Sequence, residues 1–102
     1  MLKNVTVTKN ANIYYDGKVT SRTIELADGS IQSLGIMMPG EYTFGTNEAE
    51  IMEMMSGELD IKLPNEEWKT LQTPTSFNVP AHSSFDLKIK TVTDYCCSYI
   101  KG

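Results

Sequence analysis

Apolar and polar side chains alternate with a period of two at Leu59, Ile61 and Leu63, and again at Phe85, Leu87 and Ile89. Residues two apart share one face of an extended chain, so each run predicts a strand with one side against a core. Turn signals interrupt the sequence at short intervals: Asp16-Gly17, Asp28-Gly29, Pro39-Gly40, Ser56-Gly57, Pro64-Asn65, Thr73-Pro74 and Pro80. The stretches between them are rich in Val, Ile, Thr, Tyr and Phe, the residues that fit a pleated surface. Strands are expected over 4–8, 12–15, 18–27, 30–38, 41–44, 50–55, 58–63, 68–71, 76–79, 85–92 and 95–100. Asp28-Gly29 is the strongest hairpin signal, because a two-residue turn there asks for positive φ at both positions. The one helical candidate, 65–69, is short and follows Pro64. Eleven short strands must close on themselves or stack to cover their edges and share a core. The expectation is an all-β, single-domain jelly-roll β-barrel spanning residues 1–102.

Charge narrows the function. The chain has a net charge of −4 and a pI near 4.8, with no cluster of Lys or Arg. A protein that grips the phosphate backbone needs several clustered cations, so no nucleic-acid partner is expected. No apolar run approaches the roughly 18 residues that cross a bilayer, and the first residues lack the apolar segment of a signal peptide, so no membrane partner is expected either. Cys96 and Cys97 are adjacent and face opposite ways in a strand, poorly placed to bond one another. They read as two small buried thiols, which suits a reducing, cytoplasmic setting.

The stretch from Pro39 to Gly57 organises the rest. It sets Tyr42, Phe44 and Thr46 on one face of a strand, and Glu50, Met52 and Met54 on one face of the next. It resembles the first motif of the cupin family: a glycine, two histidines two apart, a glutamate and a closing glycine. Glu50 and Gly57 keep the family's spacing, but the histidine positions fall on Phe44 and Thr46. The stretch from Pro74 to Phe85 looks like the second cupin motif. Aligned on Pro80, it puts Phe85 at the third histidine and His82 where glycine is usual. A lone carboxylate does not hold zinc or iron, which take three or more protein ligands, so no metal is expected.

A second resemblance covers nearly the whole chain. The run from Gly17 to Thr23, Leu34 to Phe44, Met52 to Leu59, Ser76 to Pro80 and Asp94 to Tyr99 are similar, in order, to the small bacterial pyrimidine/purine nucleoside phosphorylases of cupin fold. This implies phosphorolysis: nucleoside and inorganic phosphate give free base and ribose 1-phosphate, with broad base tolerance and no cofactor beyond phosphate as co-substrate. The expected partners are nucleosides, phosphate and a second copy of the chain, since a β-rich fold has edges to cover.

Such chemistry asks for donors around phosphate, a stacking surface for the base, and negative charge beside a cationic sugar. Arg22, the only arginine, has the forked donors that suit phosphate. Glu50, taken as facing inward with Glu53 facing out, is the candidate for the sugar. His82 is the candidate general acid. Ser83 and Ser84 offer hydroxyls, Thr46 offers a bond to sugar or phosphate, and Tyr42, Phe44 and Phe85 are candidates for stacking the base. Met52, Met54 and Met55 read as core. The rival readings are a small-molecule sensor without turnover and a metal-dependent cupin enzyme.

Overall fold

The computed structural model describes residues 1–101. Eleven strands follow one another: β1 (Thr6–Val7), β2 (Asn12–Tyr14), β3 (Val19–Glu25), β4 (Ile31–Met37), β5 (Gly40–Gly45), β6 (Ala49–Ser56), β7 (Leu59–Lys62), β8 (Lys69–Leu71), β9 (Thr75–Val79), β10 (Ser84–Ile89) and β11 (Thr93–Ile100). A single 3-10 turn, Tyr15–Gly17, stands between β2 and β3. All pairings are antiparallel.

The strands form two sheets. One runs β1-β3-β4-β11-β6-β9, with β2 also paired to β3, and the other runs β5-β10-β7-β8. The all-β expectation holds, but the barrel is not closed, because no ladder joins the two sheets. Stacking rather than closure shares the core. The free edge of β3 is divided between the short strands β1 and β2, which leaves little unpaired backbone for another chain to extend.

Alternation decides what faces inward. Met52 and Met54 of the larger sheet meet Leu59, Ile61 and Leu87 of the smaller one, and all five are buried. Each such side chain removed from water stabilises the fold by about 1.5–3 kcal/mol. Opposite parity sends Glu53 outward beside Cys96, its partner on β11, and leaves Met55, expected in the core with Met52 and Met54, exposed on the same outer face. A register shift between Asp94 and Tyr95 lies at the end of this pairing, past Glu50, and leaves the inward phase of Glu50, Met52 and Met54 intact.

The 28–29 hairpin differs from expectation. Gly29 has φ 87°, but Asp28 does not share the left-handed conformation. The Gly29 amide bonds to the Leu26 carbonyl at 2.9 Å and the Leu26 amide to the Ser30 carbonyl at 2.9 Å. That is a turn over Ala27 and Asp28 closed by a glycine bulge, one residue longer than the two-residue form. The extra residue lets Asp28 Oδ1 accept from the Ser30 amide at 2.9 Å and the Ser30 hydroxyl at 2.6 Å. These bonds favour the charged carboxylate and hold its pKa below the ordinary value.

Candidate active site between the sheets

At one end the two sheets part around a cavity of about 330 Å³. Pockets of about 300–1,000 Å³ are the size that takes small ligands. The smaller sheet contributes a wall of Phe44 and Phe85, direct cross-strand partners with ring centroids 6.1 Å apart. Tyr14 stands edge-on to Phe44 at 6.0 Å and continues this aromatic surface toward the mouth, where Asn47 and Glu48 lie.

The larger sheet forms a polar floor. Period-two spacing on β11 points Tyr95, Cys97 and Tyr99 into the cavity, and the neighbouring strands add Ser21, Ser33 and Glu50. Ser33 and Tyr99 share a hydrogen bond of 3.1 Å between their hydroxyls. Asn12 donates to Ser21 Oγ at 3.2 Å and to Thr23 Oγ1 at 3.0 Å, fixing that side of the floor. The Tyr95 hydroxyl reaches the Thr20 carbonyl at 3.4 Å.

Glu50 sits on β6 between its cross-strand partners Tyr99 on β11 and Val79 on β9. It is half-buried and takes part in no ion pair among the described residues. Burial raises its pKa, and a hydrogen bond with Cys97 partly opposes that. Burial also lifts Tyr95 to about 12 and raises Tyr99 and Cys97, the thiol being pushed further by the Glu50 charge. On the outer face, burial followed by the Glu53 charge lifts Cys96 to about 11. Thiolate is the reactive form. Both cysteines of the folded protein are therefore expected to react with iodoacetamide at pH 7.5 at least tenfold more slowly than in urea, read by mass shift.

The residues singled out in the sequence divide into two groups. Glu50, Phe44 and Phe85 meet at the cavity. Tyr42, Thr46, Arg22, His82 and Ser84 are not among its lining residues. Tyr42 is buried beside the cavity and donates to the Met38 carbonyl at 2.6 Å, a structural bond that satisfies its hydroxyl. Thr46 is buried too; its hydroxyl donates to the Pro80 carbonyl at 2.7 Å and accepts from the Ser83 amide at 3.0 Å. It fastens the end of β5 to the turn before β10. Thr46→Val is expected to lower unfolding free energy by about 1–3 kcal/mol in urea titrations, because both backbone partners lose their bond.

Arg22 lies on the outer face of the larger sheet, exposed, with Nε donating to the Lys9 carbonyl at 3.1 Å. Strand parity put it there: it pairs with Leu34 while its neighbour Ser21 faces in. His82 is exposed at φ 54° on the turn, and Ser84 is exposed at the start of β10. Sequence reasoning passed over Ser21, Ser33, Tyr95 and Tyr99. The alternation Tyr95, Cys97, Tyr99 was available as a signal on β11.

The cupin likeness raises the question of a metal. Among the described residues no group of three or more His, Cys, Asp and Glu side chains could hold one. Glu50 has the hydrophobic Phe44 and Phe85 across from it, Thr46 turned into a backbone clasp and only the Cys97 thiol hydrogen-bonded beside it. A carboxylate with one thiol falls short of the three protein ligands that zinc or iron takes. Among the described residues no helix is long and apolar enough to cross a membrane.

Fold and cavity together define a two-sheet, cupin-like protein with a cavity of small-molecule size between its sheets. Hydroxypropylphosphonic acid epoxidase from S. wedmorenis matches with a TM-score of 0.71 at 11% identity, covering 98% of this chain and 57% of that one, and so shows the fold alone. A protein of unknown function from Acinetobacter sp. ADP1 superposes with a TM-score of 0.93 at 34% identity over 98% of both chains. Residues 9–99 match the family described as pyrimidine/purine nucleoside phosphorylase. Relatives of that name from Sulfurimonas denitrificans and Hydrogenovibrio crunogenus are 81% and 61% identical, covering 97% and 96% of this chain and 96% and 95% of their own. The chain belongs to the pyrimidine/purine nucleoside phosphorylase family and is an enzyme of that family.

Proposed function

We propose that the enzyme cleaves purine and pyrimidine nucleosides with inorganic phosphate, without a metal, to free base and ribose 1-phosphate. The observation that supports this best is Glu50: a half-buried carboxylate with no ion-pair partner among the described residues, on a floor facing an aromatic wall. A sugar losing its base gathers positive charge at C1′ and O4′, and a preorganised carboxylate stabilises that charge as it develops. Phe44 and Phe85 stack the base. Their faces do not read base edges, which fits a broad range of nucleosides. The hydroxyls of Ser21, Ser33 and Tyr99 donate to sugar and phosphate oxygens. In this reading Arg22, His82 and Ser84 take no part, and Tyr42 and Thr46 position the wall. The proton for a neutral leaving base comes from the phosphate.

The active form in this proposal is a cytoplasmic homodimer. Ile13, Ile36, Ile51 and Met55 are exposed on the outer face of the larger sheet or its margin, and two copies pairing there would cover them. The test is incubation of the purified protein with uridine or adenosine. Base and ribose 1-phosphate are expected only when phosphate is present, with a chelator leaving the rate unchanged. Base release without phosphate would point to hydrolysis, and binding without release to a sensor.

A further inference from the structure

We propose that the site prefers nucleosides whose base bears a fixed positive charge, such as N-ribosylpyridinium compounds, and that Glu50 with the surrounding rings recognises that charge. The inference rests on the phosphorolysis reading for sugar and phosphate, and on the cavity alone for the charge.

Among the described residues the cavity is lined by two carboxylates, Glu50 and Glu48, and by no Lys, Arg or His. Five aromatic rings border the same space, with Phe44, Phe85 and Tyr14 along the wall and Tyr95 and Tyr99 on the floor. Ring faces attract cations, and the attraction grows where water is excluded. A half-buried carboxylate without a counter-ion is itself raised in free energy by desolvation, and a ligand cation relieves that cost. Both kinds of group therefore favour the same ligand charge. Phosphate points the same way. An anion entering beside Glu50 and Glu48 meets repulsion, and a cationic base already seated offsets it, so nucleoside binds before phosphate.

The chemistry of such substrates also suits the groups present. When phosphate oxygen bonds to C1′, the C1′–N electron pair passes to the ring nitrogen and neutralises its charge. The base leaves neutral without taking a proton, and the phosphate proton ends on the sugar phosphate or in solvent. No general acid is needed, in keeping with a cavity lined by no histidine.

Because a cationic base is also a better leaving group for any catalyst, the decisive readout is binding in the absence of phosphate. Calorimetry with nicotinamide riboside, a pyridinium, and with its neutral dihydro form of nearly the same shape separates charge from fit. The cation is expected to bind at least tenfold more tightly at pH 7. Glu50→Gln is expected to reduce the ratio to about twofold, and Phe44→Leu to reduce it several-fold while leaving the circular dichroism spectrum unchanged. Equal affinity for the two forms, or a ratio that survives in both variants, overturns the proposal. Cation preference with no base release from any nucleoside upholds the charged site and removes phosphorolysis instead. Release from uridine with no cation preference does the reverse.

Discussion

Glu50→Gln is expected to lower kcat for uridine phosphorolysis about 100-fold, with KM changed only a few-fold. Removing one preorganised electrostatic group costs on the order of 10²–10³ in turnover where charge develops only in the transition state. Glutamine keeps the shape and a hydrogen-bonding oxygen, so the difference isolates the charge. The same substitution is expected to raise the melting temperature at pH 7. Burial holds the Glu50 pKa above its ordinary 4.5, so between that pH and the raised value the folded protein binds more protons than the unfolded one. Stability then falls as pH rises through this window, and the loss persists above it. Glutamine does not carry that cost. The advantage of the variant should close as pH falls below about 4.5, where the carboxyl is protonated in both states. Opposite signs for activity and stability mark a side chain kept for function. A variant with unchanged kcat, or one less stable at every pH, would remove Glu50 from its assigned role.

The strands were legible because their period of two and their turn residues act locally. All eleven expected stretches overlap one, and Glu50 and Glu53 take the opposite faces that parity assigns. What the sequence concealed depends on how faces meet in space. Arg22 was attractive for its chemistry, but its strand neighbour Ser21 took the inward face. His82 follows the same proline turn that fixes Phe85, and that turn leaves it in solvent. Tyr42 and Thr46 are inward and still do not line the cavity, and each spends its hydroxyl on backbone groups nearby. Conversely, Ser33 is an unremarkable strand serine until β11 brings Tyr99 to it across 66 residues. Long-range pairing, rather than residue type, turns those hydroxyls into a floor.

That floor depends on Gly35, and Gly35→Ala is expected to destabilise the fold by about 3 kcal/mol or more. The residue lies inside β4, opposite Ser21 on β3 and Tyr95 on β11. Its conformation is ordinary for a strand, and what it supplies is space. A Cβ there would collide with the Thr20 carbonyl oxygen and stand 2.9 Å from both Ser21 Cβ and the Tyr95 hydroxyl. The Tyr95 ring can tilt away, but Thr20 is ladder backbone paired to Ile36, and moving it loosens β3 from β4. For a domain of this size 1 kcal/mol shifts the melting temperature by about 4–8 °C, so a fall of about 12 °C or more is expected. Tyr95→Phe in the same chain should recover little of it, because the hydroxyl is the softest of the three obstacles. Gly45 gives the contrast: a Cβ there meets only the Ser83 carbonyl oxygen at 3.8 Å. Gly45→Ala should be neutral or stabilising by up to about 1 kcal/mol, through the reduced freedom of the unfolded chain. If thermal unfolding showed the two alanine variants equal, the close approach of β3 and β4 beneath Tyr95 would not be what shapes the cavity floor.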